Sequence, residues 1–201
     1  MAPFATIFLL LISLNIAGQQ AILSAVVLES SYQIVINERS SLRILGKTNV
    51  NRFECGLKGH LPADTLYVNS FDTNKEQVLR KAQLRIEVDD FDCGMRQMTS
   101  EMMDLLNEEK YPYLSVTVQS LKKKGAIHES LVRFIIAGVS RDYRVPLTAK
   151  QSGDWTYVVG LQAINIHDFG LTPPTKFLGA VRVNEYIEVE FNLILKIIEL
   201  P

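Results

Sequence analysis

The residues of this chain that could do chemistry do not form a complete catalytic or metal-binding pattern. His167 and Asp168 are adjacent and could act as an acid–base dyad, but no motif places a nucleophile beside them. Asp90, Asp92 and Glu101 stand at the first, third and twelfth positions of a calcium-binding loop, yet the glycine needed at the sixth position stands at the fifth. We therefore predict no catalytic residues, no bound metal and no cofactor, and interpret His167 and Asp168 as solvated loop residues.

Two cysteines, Cys55 and Cys93, are the only thiols in the chain. Each lies near the end of a strand-like segment, so a bond between them would join neighbouring strands. Export of the chain favours a disulfide, and two buried free thiols are the alternative. A metal site is a weaker interpretation, because two thiols need further ligands and His60, His128 and His167 are scattered without the usual spacings.

The N-terminal segment has the composition of an export signal. Residues 4–17 are almost continuously apolar, carry no charged side chain and are followed by small residues at Gly18 and Ala25. The apolar stretch can be extended to Leu28, which is long enough to span a bilayer, so an uncleaved anchor is the alternative. We predict a signal peptide over residues 1–25, a single domain over residues 30–201, a periplasmic or secreted location, and no integral membrane association once the signal is removed.

Length and composition predict one folded domain with no nucleic-acid partner. The chain has 201 residues, of which 47% are hydrophobic and 21% charged, as is ordinary for a globular protein. Its formal net charge of -1 gives no general attraction to phosphate backbones. Lys122, Lys123 and Lys124 form a basic run, but they precede Gly125 between two apolar stretches and are typical of a hairpin tip.

After residue 30 the dominant pattern is period-two alternation, which places every second side chain on one face of a β-strand. In the clearest case, residues 185–198, the apolar face carries Ile187, Val189, Phe191, Leu193 and Leu195. Comparable rows predict seven or eight amphipathic strands, and the short turns between them predict antiparallel neighbours. In the row that starts at Leu84 the phase changes near Asp89 and Asp90, which indicates a bulge.

Two segments depart from this alternation. Residues 57–79 lack a clear period, and we interpret them as a long excursion between two strands. Residues 97–109 carry an apolar stripe at helical spacing, which predicts one short helix. Thr99 or Ser100 can cap its start, and Pro112 ends it.

Long amphipathic strands with a single helix can form either a two-sheet sandwich or a closed barrel. The length of the strands favours the barrel. We predict an all-β fold, an extended antiparallel β-barrel of about eight strands with one short helix. Strand tilt and stagger decide whether such a barrel is filled by its own side chains or encloses one small ligand.

Several blocks of this sequence resemble, in the same order, the motifs of the YceI-like family. The central block consists of Phe91-Asp92-Cys93-Gly94, Met98, residues 102–106 and Lys110-Tyr111-Pro112. Three later blocks are Ala137-Gly138-Val139-Ser140 with Val145-Pro146-Leu147, then residues 164–171 around the Asp168-Phe169-Gly170 segment, and then residues 185–196. Together the blocks cover most of residues 32–198.

The resemblance implies a lipocalin-like barrel that holds a long apolar lipid, such as a polyisoprenoid, along its axis and catalyses no reaction. The apolar rows that face inward are then the expected ligand contacts. They are Leu84, Ile86, Val88, Leu114, Val116, Val118, Phe134, Val145, Leu147, Val159, Leu161, Val189, Phe191 and Leu193. Closed core packing is the alternative for each of them, and for Val159 and Leu161 the opposite face of their segment is also apolar, with Val158, Ile164 and Ile166.

Four further residues are candidates for a lid over the barrel. Met98, Met102, Met103 and Phe169 qualify because flexible thioethers suit an adaptable apolar opening, and core packing is again the alternative.

Two other functions stay open at this point. One is a structural or stress-response envelope protein whose barrel is filled by its own side chains. The other is an enzyme that acts on a small amphiphile at the polar rim near His167. The sequence leaves the lipid and the oligomeric state undetermined, with a dimer possible.

Overall fold

The computed structural model describes residues 29–61, 65–73, 76–124, 127–173, 175–176 and 181–201. The signal peptide predicted over residues 1–25 lies outside these described residues. Within them, no helix has the length and apolar character needed to cross a membrane.

The described residues form mainly strands, with one α-helix and two short 3-10 turns among them. The helix is α1 (Arg96–Leu106), and the turns are Val88–Asp90 and Ile166–Phe169. The strands are β1 (Glu29–Ile36), β2 (Ser41–Lys47), β3 (Arg52–Leu57), β4 (Thr65–Asp72), β5 (Gln77–Arg80), β6 (Gln83–Glu87), β7 (Phe91–Asp92), β8 (Tyr113–Lys124), β9 (Ile127–Ile136), β10 (Val139–Ser152), β11 (Trp155–Asn165), β12 (Thr175–Lys176), β13 (Val181–Arg182) and β14 (Tyr186–Leu200).

Two long strands, β8 and β14, organise the closure of the sheet. One edge of β14 pairs with β11, while its other edge pairs first with β2 and then with β1. In the same way β8 pairs with β9 on one side and with β5 and β6 in turn on the other. The ring β1-β4-β5-β8-β9-β10-β11-β14 therefore closes into an antiparallel barrel of eight strands. The predicted all-β, lipocalin-like barrel with one short helix is confirmed.

The prediction of a long excursion over residues 57–79 is wrong. This segment contains β4 and β5, which pair with β1 and β8 and complete the ring. The inner face of β4 carries Ser70 beside Val68, and both are almost fully buried. Because a small polar residue occupies an interior position, the alternation of polarity that would reveal the strand is weak.

The phase change after Leu84 has a different cause from the predicted bulge. A 3-10 turn at Val88–Asp90 separates β6 from β7 and shifts the inner face by one residue. The ladder of β8 and β9 contains the irregularity instead, between Val118 and Ser120.

The inner face of β11 is the opposite of the one predicted. Val159 and Leu161 are 45% and 46% exposed on the outer surface, so assigning them to the interior was wrong. The inner face carries the buried residues Gly160 and Ile164. Both faces of this strand carry apolar residues. Because Gly160 has no side chain, the inner face has the lower hydrophobicity, and the sequence pattern therefore favoured the outer face. The missing side chain is replaced by Phe191 of β14, which pairs directly with Gly160 and packs over it.

Helix α1 begins and ends through contacts that the sequence did not suggest. The N-cap is Met95 without a side-chain hydrogen bond, so the predicted cap at Thr99 or Ser100 is wrong. The Thr99 hydroxyl instead accepts a hydrogen bond from the Cys93 N–H at 3.0 Å and donates one to Asp92 Oδ1 at 3.2 Å. These bonds attach the first turn of the helix to the end of β7. Asn107, with a φ of 53°, ends the helix before Pro112 is reached.

The predicted disulfide between Cys55 and Cys93 is confirmed. It joins β3 to the residue that follows β7, next to the start of α1, and both cysteines are buried. The two strands share only two paired positions, so the covalent link supplements a short ladder.

Replacing both cysteines by alanine should lower the free energy of unfolding by about 4 kcal/mol, because the unfolded chain then regains the entropy of the 38-residue loop. Urea denaturation of the wild type and of the Cys55→Ala/Cys93→Ala variant measures the difference. Wild-type protein treated with a reductant is the control and should unfold at the midpoint of the variant. Equal midpoints for all three samples would contradict a stabilising disulfide.

Candidate ligand-binding site

The part of the barrel interior next to α1 contains a cavity of about 360 Å³ that is open to the outside. Apolar side chains from β2, β3, β8, β9 and β14 form its walls, and α1 and the turn Ile166–Phe169 cover it. Val50 and Met95, which are 67% and 57% exposed, lie at its opening. An apolar cavity of this size is within the range of small-molecule sites.

Five of the fourteen predicted contact residues line this cavity. They are Ile86, Leu114, Val116, Phe134 and Val189. Among these, Val116 and Phe134 are directly paired across β8 and β9, so the register brings them together.

The other nine predicted residues lie outside the cavity. Five of them are parts of the packed core, namely Leu84, Val88, Val145, Phe191 and Leu193. Val118 and Leu147 are half-buried, and Val159 and Leu161 lie on the outer surface. The prediction that all fourteen residues line one tunnel therefore agrees with the structure for these five residues only.

Three of the four lid candidates face the cavity. Met98, Met102 and Phe169 line it, whereas Met103 packs against the core cluster that contains Leu106. The sulfur of Met102 lies 3.6 Å from Sγ of Cys93, so the thioether and the disulfide share one wall. Whether this helix moves as a lid stays a prediction.

Sequence reasoning missed lining residues at both ends of the chain. Leu42 and Ile44 of β2 line the cavity, and so do Val181 and Val183 from the C-terminal part of the chain. Leu42 and Ile44 are two positions apart, so period-two alternation in the opening strand could have identified them. The two valines come from a short strand and an isolated bridge, where no sequence period is long enough to detect.

Few polar groups face the cavity. Thr48 and Asn51 line it, but the Thr48 hydroxyl donates to Asn51 Oδ1 at 2.7 Å within their own turn. Glu101 lines it from α1 and accepts a hydrogen bond from the Gln97 amide at 3.1 Å. Ser115 completes the polar part of the lining. A guest would therefore be held by burial of apolar surface more than by directed polar contacts.

The adjacent His167 and Asp168 have structural partners instead of each other. Nδ1 of His167 lies 3.0 Å from the Leu171 carbonyl oxygen, and its Nε2 lies 3.4 Å from a carboxylate oxygen of Glu185. Asp168 accepts a hydrogen bond from the Tyr143 hydroxyl at 2.8 Å. These contacts fix the turn that carries Phe169 over the cavity.

The three calcium-loop candidates are not brought together. Among the described residues, the acidic cluster near them consists of Glu87, Asp89 and Asp90. Asp92 instead accepts the Gly94 N–H at 2.9 Å, and Glu101 faces the cavity.

Tyr143 packs against two aromatic residues of the cavity wall. Its ring packs edge-to-face on Phe134, with centroids 5.8 Å apart, and stacks on Phe169 at 6.3 Å. Burial raises the pKa of Tyr143, and the hydrogen bond and negative charge of Asp168 raise it further. The neutral phenol is thus the form that the folded structure favours.

A closed β-barrel with an apolar internal cavity defines a lipocalin-like binding fold, and comparison with known proteins identifies the family. The model of the YceI-like domain matches residues 57–195, so the chain belongs to the YceI-like family. No curated protein sequence matches the chain.

Two solved structures share the fold at low sequence identity. BcnA of Burkholderia cenocepacia is 18% identical with a TM-score of 0.60, and the match covers 77% of this chain and 95% of that one. A polyisoprenoid binding domain from Saccharophagus degradans is 15% identical with a TM-score of 0.57, covering 81% of this chain and 97% of that one. Identities this low establish the architecture and leave function to the site.

The raised pKa of Tyr143 predicts a loss of stability in alkali. An unfolded tyrosine ionises near a pKa of about 10, whereas the folded Tyr143 keeps its proton, so its stabilising contribution is complete below that pH and is lost as the pH rises above it. The free energy of unfolding should therefore fall more steeply above about pH 10 in the wild type than in Tyr143→Phe. Chemical denaturation across this range tests it, and parallel curves would contradict it.

Proposed function

We propose that this protein binds a long apolar lipid chain, of the polyisoprenoid kind, inside the barrel and carries or sequesters it without catalysing a reaction. The observation that carries the proposal is the apolar cavity beneath α1, which is lined by only a few polar side chains. Membership of the YceI-like family supports it, and so does the shared fold with a domain that is described as binding polyisoprenoids.

Burial of an isoprenoid chain accounts for affinity without a directional site. Each methylene-sized group that leaves water gains about 0.8 kcal/mol. Branched side chains in the cavity wall can contact the guest along its length, for example those of Ile86, Leu114, Val116 and Val189. The polar side chains near the opening could satisfy a head group while the tail lies deeper.

The disulfide is relevant to the compartment in which the protein functions. Disulfides form and persist in oxidising compartments such as the periplasm or the extracellular space. The Cys55–Cys93 bond supports the proposal of a periplasmic or secreted carrier.

The two alternative functions receive less support from the structure. A barrel filled entirely by its own side chains would leave no space for the cavity beneath α1. An enzyme acting near His167 would require that residue to engage a substrate, and its two ring nitrogens already lie near Leu171 and Glu185.

Substitution of Val116 by tryptophan tests the proposal directly. The larger side chain would project into the cavity and should weaken binding of farnesol by roughly tenfold or more, equivalent to about 1.4 kcal/mol. Displacement of a fluorescent apolar probe by farnesol measures the affinity. Lipid extraction and mass spectrometry of the purified wild-type protein show whether it carries a guest.

Val159→Trp is the matched control, because it adds the same side chain on the outer surface of β11. Its affinity for farnesol should equal that of the wild type. A wild type that neither carries a lipid nor takes up farnesol saturably would overturn the proposed function. Equal loss of affinity in both variants would show that the cavity is not the site.

A further inference from the structure

The cavity ends part of the way along three strands of the barrel, β8, β9 and β14. Three pairs of successive interior residues mark this boundary, where the first lines the cavity and the second does not: Val189 and Phe191 on β14, Val116 and Val118 on β8, and Phe134 and Val132 on β9. The cross-strand register agrees, because Val116 pairs with Phe134 and Val118 pairs with Val132. Leu42 of β2 pairs with Phe191 and still lines the cavity, so this boundary, the floor of the cavity, extends over the β8, β9 and β14 side of the barrel and not over β2.

Phe191 is the bulkiest of the three side chains immediately below this floor. It pairs directly with Gly160, and a Cβ atom added at Gly160 would overlap its ring. The ring therefore extends over the inner face of the neighbouring strand. It packs against a cluster that contains Val189 above the floor and Val145 below it. On β14, Phe191 is accordingly the first interior side chain beyond the cavity.

We propose that Phe191 determines how long a chain the cavity accepts, and that the preferred guest has a tail of about three isoprene units. This inference rests on the proposed function, because it requires an apolar tail to enter past α1 and point toward Phe191. It adds a limit on length, and it assigns that limit to one side chain.

The volume of the cavity supplies the number of units. An apolar protein cavity of roughly 150 Å³ binds benzene, which corresponds to roughly 25 Å³ for each carbon atom. At this ratio a cavity of about 360 Å³ accommodates about 14 carbon atoms. Three isoprene units contain nearly that number. A fourth unit would have to remain outside, in water, unless the floor were removed.

Truncation of Phe191 to alanine should add room for one more unit. The substitution removes six ring carbons, and one isoprene unit contains five. The space that opens should join the existing cavity, because Phe191 pairs directly with the lining residue Leu42 and packs against the cluster that contains Val189. The variant should therefore bury a unit that the wild type leaves exposed.

The experiment compares geraniol, farnesol and geranylgeraniol, which contain two, three and four isoprene units, by displacement of a fluorescent apolar probe. In the wild type the affinity should rise from geraniol to farnesol and change less than about twofold from farnesol to geranylgeraniol. In Phe191→Ala the second step should improve the affinity by roughly tenfold or more, since a whole additional unit is buried. Thermal unfolding of each variant verifies that it is folded.

Leu193→Ala is the matched control. Leu193 is the next interior residue on β14 and lies below an intact Phe191, so its removal should leave the wild-type preference for length unchanged. If Phe191→Ala fails to fold, Phe191→Val retains a branched side chain and should show the same change with smaller magnitude.

The outcomes separate this inference from the proposed function. A wild type that binds none of the three alcohols would overturn the proposed function. A wild type that binds farnesol but gains further affinity for geranylgeraniol would overturn the length limit alone. Equal preferences in the wild type and in Phe191→Ala would show that another residue forms the floor.

Discussion

A closed sheet of eight strands encloses a fixed interior volume, and the side chains on its inner face decide how much of that volume stays empty. Near α1 the inner face carries residues such as Ile86, Leu114 and Val116, which leave a cavity of about 360 Å³. One position further along the inner face of β14, Phe191 extends over Gly160 and no longer lines the cavity. The same buried residues therefore stabilise the barrel and form part of the cavity wall.

The part of the barrel around the cavity is held by covalent and polar links as well as by buried side chains such as Phe134 and Ile164. The Cys55–Cys93 bond holds β3 to the chain next to β7, and the Thr99 hydroxyl attaches the first turn of α1 to the same place. Tyr143 holds the turn of Phe169 from the opposite side through Asp168. These contacts position the cover of the cavity without filling it, and a guest would supply the apolar contacts that the core does not.

Prediction succeeded where one physical period dominated a segment. On β14 the apolar row from Ile187 to Leu195 faces inward throughout, because its other face carries charged and polar residues. Prediction failed on β11, where both faces are apolar and the interior position at Gly160 has no side chain. It failed again over β4, where the interior residue Ser70 is polar but small enough to be buried.

Local patterns in the chain were enough to predict the class of fold, the family and the short helix, because alternation, helical spacing and ordered motifs are local properties. They favoured a bond between the two cysteines but left free thiols as the alternative, which the structure resolved. Which inward residues surround empty space could be seen from the folded barrel but not from the sequence. Leu114 lines the cavity while Leu193 is packed, although both occupy interior positions of amphipathic strands. The difference arises because cavity volume depends on which side chains from separate strands meet at one level of the barrel. That level is set by the register between strands and by the closure of the barrel, and neither can be predicted from a single segment of the sequence.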